Sequence, residues 1–434
     1  MNYIPRAMKP KTRQPYFYFK SLALTFHLIF LASMIFLPGT SYAQYPGIED
    51  AISGHRKGEL TIYAKPGSKL EIEQISHDFL FGSAISNNFV NGTMSEKDRE
   101  SYANIFQQNF NSAVTENALK WGDMEKERGS VNYKNVDAIL EWTESVGIPL
   151  RGHNLFWGIK QFIQPWVMAL EDDALLEVMQ NRAETISKKY AGRFAEYDLN
   201  NEMIHGNYYE ERFGNEITKN MAEWIMEFDP KAKLYLNDYD MLTGKKLGPY
   251  MHQIRQLLKQ GVPIAGIGVQ GHSHSEVFDR EQLRSALDSL ATFNLPIKIT
   301  EFNMPGQNSV YYKDRTLELS DQAEEEKAKE LVDFFRICFA NPAVEGILFW
   351  GFWQGANWIP TSSLYKLDWS PTPAAKAYQD LVFNEWWTKE SAIVGNDGEL
   401  KLKVFYGKLK VTVNGKAKEV QFSKNMKNDP LILN

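Results

Sequence analysis

Cysteine is almost missing from this chain, with one thiol, Cys338, among 434 residues. A single thiol cannot close an internal disulfide, so folding does not rest on oxidation. Its place in the apolar stretch 331–340 reads it as a small core hydrophobe on a helix. Positive charge is also in short supply. Lys and Arg number 48 against 54 Asp and Glu, a formal net charge of −6. That balance argues against nucleic acid or an anionic membrane as main partner, because both call for a basic footprint. A Gly-rich phosphate turn is lacking as well: Phe81-Gly82-Ser83-Ala84, after the first strand pattern, does not have the spacing of a dinucleotide fingerprint, which counts against a doubly wound open sheet. No internal repeat longer than a strand–helix alternation stands out. Aromatics are not scarce. Eleven Trp, 20 Tyr and 26 Phe exclude a disordered chain. A chain of this length buries about three quarters of its unfolded surface and needs no disulfide or metal staple.

Charge is uneven at the start. Residues 1–43 carry Arg6, Lys9, Lys11, Arg13 and Lys20 and no acid, then an apolar run from Ser21 to Gly39, then Ser41-Tyr42-Ala43. A basic region, an apolar region and small residues at −3 and −1 predict a secretory signal cleaved after Ala43. The alternative is an N-terminal membrane anchor, since the run is about spanning length. His27, Pro38 and the small-residue exit favour cleavage. The mature protein is then expected to be secreted, periplasmic or at the cell surface, free of the membrane and monomeric.

From about Asp78 to Leu381 short β-rich apolar runs alternate with longer helical patterns. The runs are 79–85, 112–116, 148–157, 195–202, 232–238, 264–272, 296–301 and 346–352; amphipathic segments lie between them, such as 135–146, 174–190, 245–260, 280–292 and 323–340. Strands separated by helical crossovers pair in parallel, and eight such units predict a closed (β/α)8 TIM barrel over 77–390, of the α/β class. Ahead of it, alternating segments around Pro66-Gly67 read as an N-terminal β-hairpin within 44–76. After it, 391–434 reads as a small C-terminal antiparallel β extension. Leu400, Leu402 and Val404 alternate with lysines, as do Leu409, Val411 and Val413 with Lys410 and Thr412, and Asn414-Gly415 is a strong hairpin turn. Its expected role is a cover packed on the barrel.

A barrel builds its active site at the carboxyl ends of its strands. Read in order, those ends give Glu116-Asn117 with Lys120-Trp121, Arg151-Gly152-His153 with Trp157, Asn200-Asn201-Glu202, Asn237-Asp238-Tyr239, Gln270 with His272 and His274, Thr300-Glu301, and Trp350 with Trp353 and Trp358. Glu202 and Glu301 each close an apolar run, 99 residues apart. At about 35 residues per βα unit that places them on strands 4 and 7, across the mouth from one another. A lone glutamate is usually a surface acid, but two that follow buried runs are not explained that way. Glycoside hydrolysis needs such a pair, one carboxyl protonated and one ionised. Trp157, Trp350, Trp358 and Tyr239 would offer flat faces to sugar rings. Singly, each could equally be core packing.

At these positions the sequence closely resembles glycoside hydrolase family 10, the retaining endo-β-1,4-xylanases. The carrying motifs are Thr115-Glu-Asn-Ala-Leu-Lys-Trp121, Arg151-Gly-His-Asn-Leu-Phe-Trp157, Asp198-Leu-Asn-Asn-Glu202, Asn237-Asp-Tyr239, Gln270-Gly-His272, Ile299-Thr-Glu301 and Trp350-Gly, running to Trp358. They cover about 77–385, and Asn201-Glu-Met-Ile-His205 and Trp350-Gly-Phe-Trp353 look plant-type. The resemblance implies Glu202 as acid/base, Glu301 as nucleophile, Asn201 on the sugar 2-hydroxyl and His272 orienting Glu301. It implies Glu116, Asn117, Lys120, His153, Trp157, Gln270, Trp350 and Trp358 along the glycone side, with Tyr239 toward the leaving side. The substrate implied is xylan or a xylo-oligosaccharide, with no metal and no cofactor. Gly158, Gln354 and Ile359 depart from the usual pattern and are expected to alter subsite walls.

Three rival readings stay open. A metal-dependent hydrolase could draw on His272, His274 and His153, but would leave both glutamates unexplained. A binding protein without catalysis would usually have lost one of the pair. A related enzyme could act on a β-1,4-glucan or a decorated xylan instead.

Overall fold

A computed structural model describes residues 47–273, 279–304, 318–424 and 429–433. The expected signal segment and His274 lie outside them.

Eight short strands close into a ring, nearly all of their residues buried as expected of parallel strands covered on both sides. They are β1 (Leu80–Ile85), β2 (Ser112–Thr115), β3 (Leu150–Gly152), β4 (Glu196–Asn201), β5 (Leu234–Asp238), β6 (Ile264–Val269), β7 (Ile297–Phe302) and β8 (Val344–Phe349). All neighbours pair in parallel, and β8 returns to β1 with Gly346 opposite Leu80 and Phe349 opposite Ser83. Helices such as Asp172–Tyr190 and Asp321–Ala340 wrap the ring. The fold is the expected (β/α)8 barrel. Cys338 is buried in the second of these helices.

The lumen is not wholly apolar. Arg151 on β3 is paired with Glu196 and Asp198 on β4, and Lys298 on β7 with Glu196. These are buried charges, tolerable because each is paired and hydrogen-bonded. Alternation along the sequence gave no sign of this layer.

The flanking segments correct the sequence reading. Lys57–Tyr63 and Lys69–His77 are strands, but they do not pair with each other across Pro66-Gly67. The first pairs with Glu399–Phe405, Lys57 opposite Phe405 and Tyr63 opposite Glu399. The second lies between Lys389–Ile393 and Gly407–Val413. The extension is therefore not a sheet of its own: its strands are divided between two sheets, each completed by an N-terminal strand. The inner faces of the two sheets share one apolar cluster that includes Leu60, Ile62, Leu70, Ile72, Val404, Leu409 and Val411. A period of two shows which face is apolar and nothing of which strand is the partner. The Asn414-Gly415 turn is as expected, joining Gly407–Val413 to Lys416–Phe422 with both turn residues at positive φ.

This β unit sits at the end of the barrel where strands begin. Arg56, at the end of the helix Ile48–Arg56, donates to the carbonyls of Phe339, Asn341 and Val344 at 2.6–2.7 Å. Phe405 packs near Phe339 and His77. The opposite end of the ring is left open for chemistry.

Candidate active site

Glu202 directly follows β4 and has φ 59°, a left-handed conformation that costs a non-glycine residue about 1–2 kcal/mol. The turn that holds it there is well bonded. Its N–H donates to the Asn237 carbonyl at 2.8 Å, and its own carbonyl accepts from His205 and Gly206 at 3.0 and 2.8 Å. Asp238 secures the far side, accepting the Ile204 N–H at 2.8 Å and the His205 ring at 2.7 Å. The Glu202 carboxyl is buried, with one oxygen accepting from Gln270 Nε2 at 2.6 Å and the other from Trp157 Nε1 at 2.8 Å. Burial pushes its pKa up, and the charge of Glu301 pushes it further the same way.

Glu301 lies on β7, in the irregular step between the pairings of Ile299 and Phe302 with β8. Its N–H donates to the Gln270 carbonyl at 2.7 Å, so Gln270 grips one glutamate by its backbone and the other by its side chain. Asn237 Nδ2 donates to Glu301 Oε1 at 2.8 Å, His272 Nε2 stands 3.2 Å from Oε2, and His153 Nδ1 is 3.7 Å from Oε1. Burial alone would raise this carboxyl. His153, His272 and Lys120 outweigh it and hold the pKa at about 2. Two neighbouring carboxyls are thus pushed in opposite directions, which is what an acid and a nucleophile need.

The supporting network fixes rotamers and amide orientations. Thr300 Oγ1 donates to Asn237 Oδ1 at 2.5 Å, so the Asn237 amide nitrogen faces Glu301 and also donates to Asn201 Oδ1 at 2.9 Å. Asn201 Nδ2 is left as a buried donor with no partner among the described residues. Asn303 Oδ1 accepts the Trp358 indole N–H at 2.9 Å, and since an indole can only donate, the same oxygen faces His272 Nδ1, 2.8 Å away, as acceptor. That puts a proton on Nδ1 and turns Nε2 toward Glu301. Asn303 was not foreseen. It stands two residues beyond Glu301, just past the end of β7, and that spacing was the available signal.

The remaining expected residues divide by role. Lys120 donates to Asn117 at 2.9 Å, with its ammonium 4.9 Å from the Trp157 ring and 5.8 Å from that of Trp350. Glu116, half-buried, follows β2 beside them. His153 donates to Asp198 at 2.9 Å and meets Trp350 edge-on. Trp350 is buried, whereas Trp358 is 37% exposed over the site. Tyr239 is half-exposed and lies flat on His205, ring centroids 3.5 Å apart; burial, then Glu202, pushes its phenol up to about 12.

Three expectations need correction. Trp157 is no open platform: Phe162 stacks on it at 4.0 Å, Lys120 lies over the ring, and it meets the site by its N–H edge. Gln354 and Ile359 are buried, with Gln354 Oε1 accepting the Leu367 N–H at 3.0 Å. Gly158 is required sterically, because a Cβ there would lie 2.8 Å from the Gly206 carbonyl. Of the histidines offered to a metal, His272 and His153 are engaged as above. Among the described residues no three His, Cys, Asp or Glu side chains are grouped to hold a metal ion.

Comparison with known proteins agrees with this architecture. The model of glycosyl hydrolase family 10 matches residues 72–381. Endo-1,4-beta-xylanase 2 of Arabidopsis thaliana is 33% identical over 351 residues, 80% of this chain and 31% of that protein. Anti-sigma-I factor RsgI6 of Acetivibrio thermocellus is 31% identical over 392 residues, 88% of this chain and 48% of that protein. The chain thus spans a third to a half of these relatives' lengths. Among solved structures, xylanase 10B of Thermotoga petrophila in complex with xylobiose superposes with a TM-score of 0.62 at 26% identity, covering 71% of this chain and 95% of that one.

Proposed function

The chain belongs to glycosyl hydrolase family 10, and on that premise we propose that it is an endo-1,4-β-xylanase, cleaving internal β-1,4-xylosidic bonds of xylan with net retention. The observation that carries the reading is the opposed shift of two carboxyls tied together through Gln270.

In this mechanism Glu301, ionised, attacks the anomeric carbon while Glu202, protonated, gives its proton to the departing oxygen. The glycosyl–Glu301 ester forms as the glycosidic C–O bond breaks. Glu202, now ionised, takes a proton from water, whose oxygen attacks the same carbon and restores Glu301. Asn201 Nδ2, the unpartnered donor, is suited to the 2-hydroxyl, a contact that strengthens in the transition state. Trp350 and Trp358 support the ring being cleaved, and Tyr239 the leaving sugar. Both steps run on carboxyls and water, so activity is expected to survive chelation. A retaining pair stands about 5–5.5 Å apart, the separation expected here in a crystal structure. The N-terminal pattern of residues 1–43 supports export of the enzyme.

Glu301→Ala should abolish xylan hydrolysis in a protein that still melts cooperatively. NMR of the first products should show β-anomers. First-formed α-anomers, or a fully active Glu301→Ala protein, would overturn the mechanism.

A further inference from the structure

The loop after β3 carries a large apolar ring that the catalytic scheme does not use. Phe162 is 46% exposed, although its neighbour Ile163 is buried in the barrel's core cluster. The loop is anchored on both sides: Phe162 N–H donates to Ile159 O at 2.9 Å, and Gln164 Nε2 to Glu125 O at 3.2 Å. Its exposure is therefore built in. One face of Phe162 lies on Trp157, centroids 4.0 Å apart and planes 16° from parallel. Trp157 in turn donates its indole N–H to Glu202 at 2.8 Å and carries the Lys120 ammonium over its ring. Phe162 thus lies one ring out from the indole whose N–H edge holds Glu202.

We infer that Phe162 forms a distal sugar-binding subsite, taking the C–H face of a β-1,4-linked pyranose unit on the side of Trp157 opposite Lys120. The inference rests on the proposed xylanase reading and extends it. The occupant is a remote unit of the same chain whose bond lies between Glu202 and Glu301, because the platform is continuous with that site through Trp157. A sugar ring has flat C–H faces and no charge, which matches an uncharged, pre-oriented aromatic face. The open face that Trp157 cannot offer is supplied by the residue stacked on it.

The test uses the full chain carrying Glu301→Gln, so that ligands are bound and not turned over. Calorimetry with xylohexaose and xylotriose is compared for Phe162, Phe162→Ala and Phe162→Trp. Phe162→Ala should weaken xylohexaose about tenfold and xylotriose less than about twofold, with Phe162→Trp restoring the longer ligand. Equal xylohexaose affinities for Phe162 and Phe162→Ala would overturn the subsite and leave the proposed function standing. No binding of either oligosaccharide with Phe162 in place would overturn both.

Discussion

Glu202 and Glu301 are the same residue type, and only their surroundings tell them apart. Burial and the neighbouring negative charge raise the first, while His153, His272 and Lys120 lower the second to about 2. The proposed reaction needs Glu301 ionised and Glu202 protonated, so its active window should open near pH 2 and close on the alkaline side as Glu202 ionises. That limb should lie above an ordinary glutamic acid. Replacing Glu301 by Gln removes a charge that disfavours ionisation of Glu202, so the carboxyl pKa read by 13C NMR should fall. No change would mean the two groups are uncoupled. Asn237 is the second residue on which the site turns, since it donates to both Glu301 and Asn201. Asn237→Ala should cost about a hundredfold in kcat/KM, comparable to loss of one preorganised donor. It should also lower stability by about 1–3 kcal/mol, because buried partners are left unpaired. Activity within twofold of the parent would show that Asn237 does not hold the pair.

At the scale of elements, the turn 202–206 is what aims the acid, and it is packed against Gly158. An added methyl there meets the Gly206 carbonyl, a backbone atom that cannot swing away. Gly158→Ala should therefore cost about 1–3 kcal/mol in thermal unfolding and reduce kcat by displacing Glu202. An unchanged melt and rate would remove Gly158 from the account. The barrel strands were legible because fully buried parallel strands read as apolar runs closed by polar residues, and Glu202 and Glu301 were legible as the charges that close two of them. The pairing of Lys57–Tyr63 with Glu399–Phe405 was not, because partners more than 300 residues apart leave only their shared alternation in the sequence. Nor was the closed face of Trp157. An indole at a strand end looks the same whether its ring faces sugar or Phe162. Asn303, beside Glu301 in the chain, was readable by its period-two spacing alone.

For the whole molecule, the β unit is a joint between chain ends and barrel. Its strands from both ends complete each other's sheets, and Arg56 ties the unit to the start of β8. Deleting 391–434 should thus not yield a trimmed, working barrel. It strips the partners from two strands and exposes a cluster in which each large side chain is worth about 1.5–3 kcal/mol of burial, so aggregation or a much lower melting temperature is expected. A truncated protein with the parent's melting temperature would contradict this. Taken together, a ring of strands, a strained turn and a position near the end of β7 set two unlike carboxyls beside each other. The most direct test is covalent trapping with an activated 2-deoxy-2-fluoro-xylobioside, followed by intact mass and peptide mapping. One fluoroxylobiosyl adduct, on Glu301, is expected. An adduct on Glu202, on another residue, or none in an enzyme that hydrolyses xylan would contradict it.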